Sequence, residues 1–395
     1  MTTWVQARSA DQAADDALEL FRSHFGEEPS GVWCAPGRVN LIGEHVDYAG
    51  GICLPFALEH ATYLAARARE DSLVRLVSEF HGRAQVGQVD LREVGPGNPS
   101  SWEGYVVGPL WALGLTQGFD FAIVSDVPVG AGLSSSAALE CSAAVAAVEL
   151  AGADATPEDI VQVAIRAENE VVGASTGGLD QTVAMFGQQG HALAIDFLDW
   201  THNSVPFDLK EHNLGLLIVD TNAPHQLADG QYASRRTIAD QVAHTAGQEV
   251  LRSVQDPRQA AEEFAAASGR DVEEVQRRVR HIVSEIERTQ QAIKDLKHDD
   301  FEAFGQAMFA SHASLRDDYE VTVAELDLVV STAEHHGAVG ARMTGGGFGG
   351  SAIVLANAER IPEIAQSIDA AFAEAGFNAP GFAQSRASAG ARRVR

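Results

Sequence analysis

The chain has 395 residues, of which 45% are hydrophobic and 21% charged, the composition of an ordinary soluble globular protein long enough for two domains. Its formal net charge of −27 argues against a nucleic-acid partner, because phosphate neutralisation needs clustered lysine and arginine. No apolar run approaches the length that crosses a bilayer, and the N-terminal stretch lacks the pattern of a secretory signal, so we expect no membrane partner.

The three cysteines indicate a reducing compartment. Cys34, Cys53 and Cys141 are odd in number, show no metal-ligand spacing and each lie in an apolar context. They are most simply buried, reduced thiols, and we therefore expect a cytoplasmic protein.

The N-terminal region predicts one helix followed by strands. Ser9 with Gln12 three residues later forms a possible capping box, and the following stretch to Gly26 has helical spacing. Strand-like pieces follow at residues 32–34 and in "GICLPFAL", "ATYLAARA" and "LVRLVSEF". The first two pieces are separated by "APGRVNLIGEHVDYAGG", which by itself indicates only a polar, glycine-rich loop between strands.

A second glycine-rich stretch, "PVGAGLSSSAA", joins a strand to an alanine-rich helix. Gly130 and Gly132 let the backbone turn tightly and approach a ligand, and the N–H groups at the start of the helix attract anions. Two interpretations stay open, a phosphate cradle with a serine hydroxyl available to a divalent metal, or a serine N-cap on an ordinary core helix. It is not a Walker loop, because no lysine occurs before Lys210.

Two carboxylates follow in the next segment. Thr156, with Pro157 after it, predicts a helix that runs to about Val172, with Glu168 near its end. Asp180 follows a Thr-Gly-Gly turn and has apolar neighbours, which predicts a half-buried carboxylate with a cationic partner. The two acids could divide metal binding from proton abstraction, or could simply be exposed charges.

The second half of the chain contains a buried strand, "LGLLIVDT", and an amphipathic helix from Asp271 to about Lys297. The helix carries Val272, Val275, Val279, Ile282, Val283 and Ile286 on the face expected to pack. Near the end, "GAVGARMTGGGFGGSAIVLA" predicts strand, glycine loop, strand, and the loop must pass very close to another group. Strands and helices mixed in two blocks predict an α+β architecture with a cleft between two lobes.

The three glycine-rich elements together resemble the GHMP small-molecule kinases. "PVGAGLSSSA" and "MTGGGFGGSAI" look like the second and third motifs of that superfamily, and "GRVNLIGEHVDYAGG" is similar to the sugar signature of its galactokinase branch. The resemblance implies a two-lobed GHMP kinase fold with the active site in the cleft. Its N-terminal lobe, like domain 2 of ribosomal protein S5, would cover residues 1–205, and its ferredoxin-like C-terminal lobe residues 206–395.

The resemblance also implies an activity, the ATP-dependent phosphorylation of the anomeric hydroxyl of galactose to galactose 1-phosphate, the first committed step of galactose catabolism. Asp180, in "GGLDQ", would be the general base, with Arg38 beside it. It would either take the proton as the P–O bond forms or chiefly orient the hydroxyl. Ser136 and Glu168 would hold Mg²⁺. The residues implied to contact the sugar are Glu44, His45, Asp47, Gly177 and Tyr232. The residues implied to wrap the ATP phosphates are Gly130, Ala131, Gly132, Leu133, Ser134, Ser135 and Ser136.

The chain departs from the galactokinase pattern at a few positions. Val46 and Ala49 stand where threonine and asparagine are common, and Thr176-Gly-Gly-Leu-Asp180 replaces a common Cys-Gly-Ile-Met-Asp. The alternatives are another sugar 1-kinase, acting on N-acetylgalactosamine or arabinose, and a non-catalytic galactokinase-like sugar sensor. The intact serine motif, Arg38 and Asp180 favour an enzyme. The expected partners are small molecules, the sugar and MgATP, and a monomer is the default expectation.

Overall fold

The computed structural model describes residues 2–80, 83–174, 176–223 and 228–395, and it describes their side chains apart from those of 80, 83 and 228–232. The helices are α1 (Ala10–Phe25), α2 (Gly104–Ala112), α3 (Ser135–Ala151), α4 (Pro157–Arg166), α5 (Leu179–Phe186), α6 (Ala228–Thr245), α7 (Pro257–Ser268), α8 (Val272–Lys297), α9 (Phe301–Ser314), α10 (Ala324–His335) and α11 (Ile361–Ala375). The strands are β1 (Thr3–Trp4), β2 (Gly31–Asn40), β3 (Ile52–Cys53), β4 (Pro55–Ala68), β5 (Leu73–Phe80), β6 (Arg83–Asp90), β7 (Phe119–Ser125), β8 (His191–Asp196), β9 (Thr201–Pro206), β10 (Leu214–Asp220), β11 (Gly340–Thr344), β12 (Ser351–Asn357), β13 (Gly381–Gln384) and β14 (Arg392–Arg393).

The N-terminal half forms a six-stranded sheet in the order β14-β2-β4-β7-β5-β6. Successive side chains of a strand point to opposite faces, so each strand supplies two layers. Trp33 and Leu64 pack with α2 and α3 on one face. Cys34 and Tyr63 pack with α1 on the other face. The sheet is thereby covered on both sides, which explains why β2 is buried along its whole length.

The C-terminal half forms a five-stranded sheet in the order β1-β13-β10-β12-β11. One face of this sheet packs on α6, α7, α8, α10 and α11. Its other face, including Leu216 and Ile353, packs in one cluster with Phe56, Ala131 and Leu133 of the first half. The two halves therefore share an apolar core at their junction. A small third sheet has the order β3-β8-β9.

The two ends of the chain cross between these sheets. β1 pairs in parallel with β13 in the C-terminal sheet. β14 pairs antiparallel with β2 in the N-terminal sheet. A division into two lobes at residues 205/206 therefore applies only to the chain between β1 and β14, and there it stays a proposal.

Several predicted elements are confirmed. Ser9 and Gln12 form the capping box of α1, and Gly26 ends that helix in a left-handed conformation. The helix that begins after Thr156 continues through a π-helical turn, Ala167–Val172, to the predicted end. The predicted strands at 73–80 and 214–221 correspond to β5 and β10. All three cysteines are unpaired and buried.

The structure differs from the sequence-based expectation at three places. The pieces "GICLPFAL" and "ATYLAARA" contribute to one long strand, β4, which continues through Glu59 and His60. β2 extends beyond residues 32–34 to Asn40, with a bulge between Pro36 and Arg38. Val272 at the first position of α8 is 40% exposed, whereas Val275, Val279 and Ile282 are buried as expected. Among the described residues, no helix is long and apolar enough to span a membrane.

Candidate active site

A cavity of about 690 Å³ lies where the two halves meet. The glycine loop between β11 and β12 forms part of its wall, through residues 345–348. Seven of the residues that the sequence assigns to function line this cavity, namely Arg38, Glu44, His45, Asp47, Glu168, Gly177 and Asp180. Residues more than 300 positions apart in the chain are thus brought to one site.

Asp180 and Arg38 form an ion pair in this cavity. Arg38 lies on β2 just after the bulge, and its Nη2 atom is 2.7 Å from Oδ1 of Asp180. Its Nη1 atom donates to the carbonyl oxygen of Gly132 at 2.6 Å. The hydroxyl of Ser134 donates to Oδ2 of Asp180. Arg38 of β2 and Ser134 at the start of α3 therefore each bond one carboxylate oxygen of Asp180, and this fixes the orientation of the carboxylate.

The phosphate-loop candidate has the backbone that its glycines suggest. Gly130 and Gly132 have φ values of +81° and +73°, in the left-handed region that glycine tolerates. Ser134 occupies the N-cap position of α3 with φ +61°, but its side chain makes no capping hydrogen bond. Its hydroxyl bonds to Asp180, so the interpretation as a serine that caps a core helix is wrong. None of residues 130–136 is among the described residues that line the cavity, and the loop lies behind Arg38 and Asp180.

The third glycine motif packs directly on this loop. The hydroxyl of Ser351 donates to the carbonyl oxygen of Ala131 at 2.7 Å. A Cβ atom added to Gly345 would lie 3.1 Å from the carbonyl oxygen of Gly132. The close approach expected from the glycine run is thus an approach to the other glycine loop.

Glu168 lies beside Asp180 and Ser136. Burial and, next, the nearby Asp180 carboxylate together raise the pKa of Glu168 to about 7, against the opposing effect of hydrogen bonds from Gln181 and from the Ser136 hydroxyl. A divalent cation would offset the charge of these buried acids. Mg²⁺ typically binds through one or two carboxylates together with substrate phosphates, and a serine hydroxyl beside Glu168 fits that donor set. The described part of the chain contains no group of three or more His, Cys, Asp or Glu side chains that could hold a metal by themselves.

A buried polar chain, not anticipated from the sequence, supports Glu168 from behind. Nε2 of Gln181 donates to Oε2 of Glu168 at 2.6 Å and to Oε2 of Glu140 at 3.0 Å. Glu140 lies on α3 and is fully buried, and this burial raises its pKa well above the ordinary value. The signal in the sequence is a lone acid in the alanine-rich stretch "AALECSAAVAA".

His45 is held as a neutral imidazole. Burial lowers the pKa of His45 to about 3. Its Nε2 atom is 3.1 Å from the carbonyl oxygen of Gly346, which can only accept, so Nε2 carries the proton. Nδ1 then accepts from the hydroxyl of Tyr48 at 3.1 Å, and that hydroxyl is 2.7 Å from the hydroxyl of Tyr319.

Asp47 and Gly177 fit together closely. A Cβ atom at position 177 would lie 1.8 Å from Oδ2 of Asp47, so any residue other than glycine would clash with this carboxylate. Burial, with a smaller contribution from the Asp180 carboxylate, raises the pKa of Asp47 to about 6. The neighbouring Val46 and Ala49 are 0% and 1% exposed and pack in the hydrophobic core. Neither is among the described residues of the cavity wall.

Glu44 accepts hydrogen bonds from three groups. Its Oε2 atom accepts from Nδ2 of Asn40 at 2.7 Å and from Nη1 of Arg342 at 2.8 Å. Its Oε1 atom accepts from the backbone N–H of Gly345 at 2.6 Å. Burial raises the pKa of Glu44, and the charge of Arg342 opposes that shift. Sequence reasoning missed Arg342, although a single charge within the buried strand "GARMT" is the kind of signal that marks a specific partner.

Tyr232 belongs to α6 by its backbone, but its side chain lies outside the described residues. Its contact with the sugar therefore stays a prediction. The next residue, Ala233, lines the cavity, so this part of α6 reaches the site.

Comparison with known proteins gives a consistent result. The galactokinase galactose-binding signature matches residues 19–68, the GHMP kinase N-terminal domain residues 105–188, and the GHMP kinase C-terminal domain residues 292–374. A galactokinase of Streptomyces coelicolor is 44% identical over 95% of this chain and 97% of its own length. Human galactokinase is 41% identical over 89% of this chain and 90% of its own length.

The solved structures agree. A structure of Lactococcus lactis galactokinase complexed with galactose superposes with a TM-score of 0.87 at 32% identity, covering 96% of this chain and 99% of that chain. A mevalonate kinase superposes with a TM-score of 0.62 at 18% identity, which supports the GHMP kinase fold alone. The chain therefore belongs to the galactokinase family, a branch of the GHMP kinases.

Proposed function

We propose that the protein transfers a phosphoryl group from ATP to the anomeric hydroxyl of galactose, forming galactose 1-phosphate. The observation that carries this proposal is the ion pair of Asp180 and Arg38, with Ser134 bonded to Asp180 from behind, in a cavity that His45 and Asp47 also line. A similar protein from Lactococcus lactis is described in complex with galactose. The cavity therefore combines a carboxylate base with groups suited to sugar hydroxyls.

In this proposal Asp180 accepts the proton of the anomeric hydroxyl. A sugar hydroxyl is too weak an acid to be deprotonated beforehand by an ordinary carboxylate, so the proton moves as the P–O bond forms. Arg38 and Ser134 hold the two oxygens of Asp180 and keep the carboxylate aimed at the hydroxyl. Arg38 also supplies positive charge near the transferred group, where phosphoryl transfer needs it most.

Membership of a kinase family implies ATP as the phosphoryl donor. We assign the phosphates to the loop of residues 130–136 and to the start of α3, where a helix N-terminus favours negative charge. Ser136 and Glu168 would hold Mg²⁺, which when bound supplies the positive charge that an acidic protein lacks.

The sugar contacts are assigned to Glu44, His45, Asp47, Gly177 and Tyr232. Val46 and Ala49 were a reason to consider N-acetylgalactosamine or arabinose, but both lie in the hydrophobic core and away from the cavity wall. Their identity therefore gives no ground for preferring another sugar, and galactose is the first candidate. The sensor alternative is disfavoured because the groups assigned to catalysis are all present and in contact.

The setting of the enzyme is also a proposal. Three buried, unpaired cysteines support a cytoplasmic location. We propose a monomer with a catalytic N-terminal lobe over residues 1–205 and a C-terminal lobe over residues 206–395, which contributes the third glycine motif.

The proposal is tested by an assay of ADP release across a panel of galactose, N-acetylgalactosamine, arabinose and glucose. We expect the highest kcat/KM for galactose, exceeding that for glucose by about 100-fold or more, because a site built to bond a hydroxyl rejects an analogue that does not match it. A higher value for another sugar would transfer the assignment to that sugar. Sugar binding without ADP release from any sugar would favour the sensor.

A further inference from the structure

Glu44 has one hydrogen-bonding position left for a ligand. A carboxylate offers about four acceptor positions, two on each oxygen. Oε2 uses both of its positions on Asn40 and Arg342, and Oε1 uses one on the N–H of Gly345. Because Glu44 lines the cavity, its remaining position, on Oε1, is available to a single O–H donor.

Arg342 itself is rigidly held. It lies on β11 with its side chain 0% exposed, and its Nε atom donates to the hydroxyl of Ser311 on α9 at 3.1 Å. The Ser311 hydroxyl donates to Oε1 of Glu285 at 2.6 Å, and the same oxygen accepts from the backbone N–H of Gly43 at 3.0 Å. Two helices and a strand of the C-terminal half thus fix the guanidinium that meets Glu44.

The same guanidinium also fixes the backbone that carries Glu44. Nη1 of Arg342 donates to the carbonyl oxygen of Asn40 at 3.2 Å. The hydroxyl of Thr344, two residues further along β11, is 3.1 Å from both the N and the O atoms of Asn40. His281 of α8 contacts the carbonyl oxygen of Glu44 through Nε2 at 3.1 Å. The segment from Asn40 to Glu44 is therefore shaped by the opposite half of the molecule.

We propose that Arg342 is a positioning residue that determines sugar specificity. It occupies Oε2 of Glu44, so that only Oε1 accepts a hydrogen bond from a sugar hydroxyl. This inference rests on the proposed phosphorylation of galactose. Arg342 acts through Glu44 and is not among the described residues of the cavity wall. It makes no contact with Asp180 or Arg38 among the described contacts, so its removal affects sugar recognition more than phosphoryl transfer.

The loss of Arg342 has a specific consequence. A buried carboxylate without its cationic partner gains a proton or rotates toward another donor. Either change alters the acceptor at Oε1, and the enzyme then loses its preference for the sugar that carries the matching hydroxyl. An intact hydrogen bond to a charged group typically changes kcat/KM by about 10- to 100-fold.

The experiment compares Arg342→Met and Arg342→Lys with wild type on galactose and its 2-, 3-, 4- and 6-deoxy analogues. For wild type we expect one analogue whose hydroxyl meets Glu44 to be disfavoured by about 10- to 100-fold. In Arg342→Met this discrimination falls below about threefold, with an increased KM for galactose and an unchanged KM for ATP. Arg342→Lys keeps part of the discrimination, because lysine retains the positive charge but lacks the planar guanidinium that bonds Glu44 and Ser311 at the same time.

Arg278→Met is the matched control. Arg278 is also an almost fully buried arginine, 2% exposed, but it pairs with Glu320 and Glu274 and is not among the described residues of the cavity wall. We expect this variant to lower the thermal midpoint while it keeps the wild-type discrimination among the analogues. Glu44→Gln is the second variant, and it should lose discrimination against the same analogue as Arg342→Met.

Unchanged discrimination in Arg342→Met would overturn the proposal, as would an equal loss of kcat/KM on galactose and on all four analogues. If Arg342→Met does not fold, Arg342→Lys is the deciding variant. Wild-type discrimination among the analogues in Arg342→Lys, combined with a loss of that discrimination in Glu44→Gln, would contradict a role for the geometry of arginine. Failure of the underlying function would be seen separately, as wild-type enzyme that does not phosphorylate galactose.

Discussion

At the scale of single residues, Asp180 is a carboxylate whose two oxygens are each held by a separate donor, Arg38 and Ser134. Asp180→Asn keeps the size of the side chain and removes its capacity to accept a proton. We expect kcat to fall by about 100- to 10,000-fold, the usual contribution of a general base. The dissociation constant for galactose, measured by calorimetry, should change by less than about threefold because the sugar contacts assigned to other residues are retained.

Asp126→Asn is the control for that substitution. Asp126 also pairs with an arginine, Arg8, at 2.8 Å, but it is not among the described residues of the cavity wall. Its substitution should leave turnover at the wild-type level. Turnover of Asp180→Asn within about tenfold of wild type would remove Asp180 from the role of base.

The residues of the site differ in how far the sequence reveals them. Arg38, Glu44 and Asp180 belong to short motifs, so their place in one site could be inferred from the resemblance of those motifs to a known family. Arg342 could not, because it lies 298 positions from its partner and only the folded chain brings the two together. Gln181 and Glu140 were missed for a similar reason, since a polar residue in an apolar stretch indicates a partner without identifying it.

At the scale of elements, the site depends on contact between two glycine loops. Gly345 has φ +85°, and a Cβ atom there would lie 3.1 Å from the carbonyl oxygen of Gly132. Gly345→Ala therefore adds a steric contact to the cost of a left-handed backbone, about 1–2 kcal/mol. We expect kcat/KM for ATP to fall by about tenfold or more, since a misplacement of about 1 Å can cost about 100-fold.

Gly376→Ala separates these two effects. Gly376 follows α11 with φ +76°, and no atom of the described residues lies within 4 Å of an added Cβ. In denaturant titrations Gly376→Ala should show the backbone cost alone, and Gly345→Ala should lose at least as much free energy of unfolding, while only Gly345→Ala should lose activity. Equal activity of the two variants would show that the contact between the loops does not matter for the reaction.

Elements with strong local signals could be predicted well. The capping box at Ser9 and the N-cap at Thr156 identify the starts of α1 and α4, because these residues satisfy backbone donors locally. The continuity of β4 could not be predicted, since Glu59 and His60 interrupt its apolar pattern. His60 is buried in spite of its polarity, an outcome of tertiary packing that local pattern does not contain.

At the scale of the whole molecule, the two halves are joined by a shared apolar core and by the exchange of chain ends. Phe56 and Leu133 of the first half pack in one cluster with Leu216 and Ile353 of the second. A two-lobed architecture with a cleft could be inferred from the order of elements. The exchange of ends could not, because β1 and β14 contain two residues each and carry no periodic signal.

The central claim is that this shared site phosphorylates the anomeric hydroxyl of galactose. The most direct measurement is phosphorus NMR of the product formed from galactose and MgATP. We expect a single phosphate monoester on C1, whose phosphorus couples to the anomeric proton. Wild type and Asp126→Asn should form it at similar rates, and Asp180→Asn should form it at least about 100-fold more slowly. A phosphate on C6, or no phosphorylated sugar from wild-type protein, would contradict it.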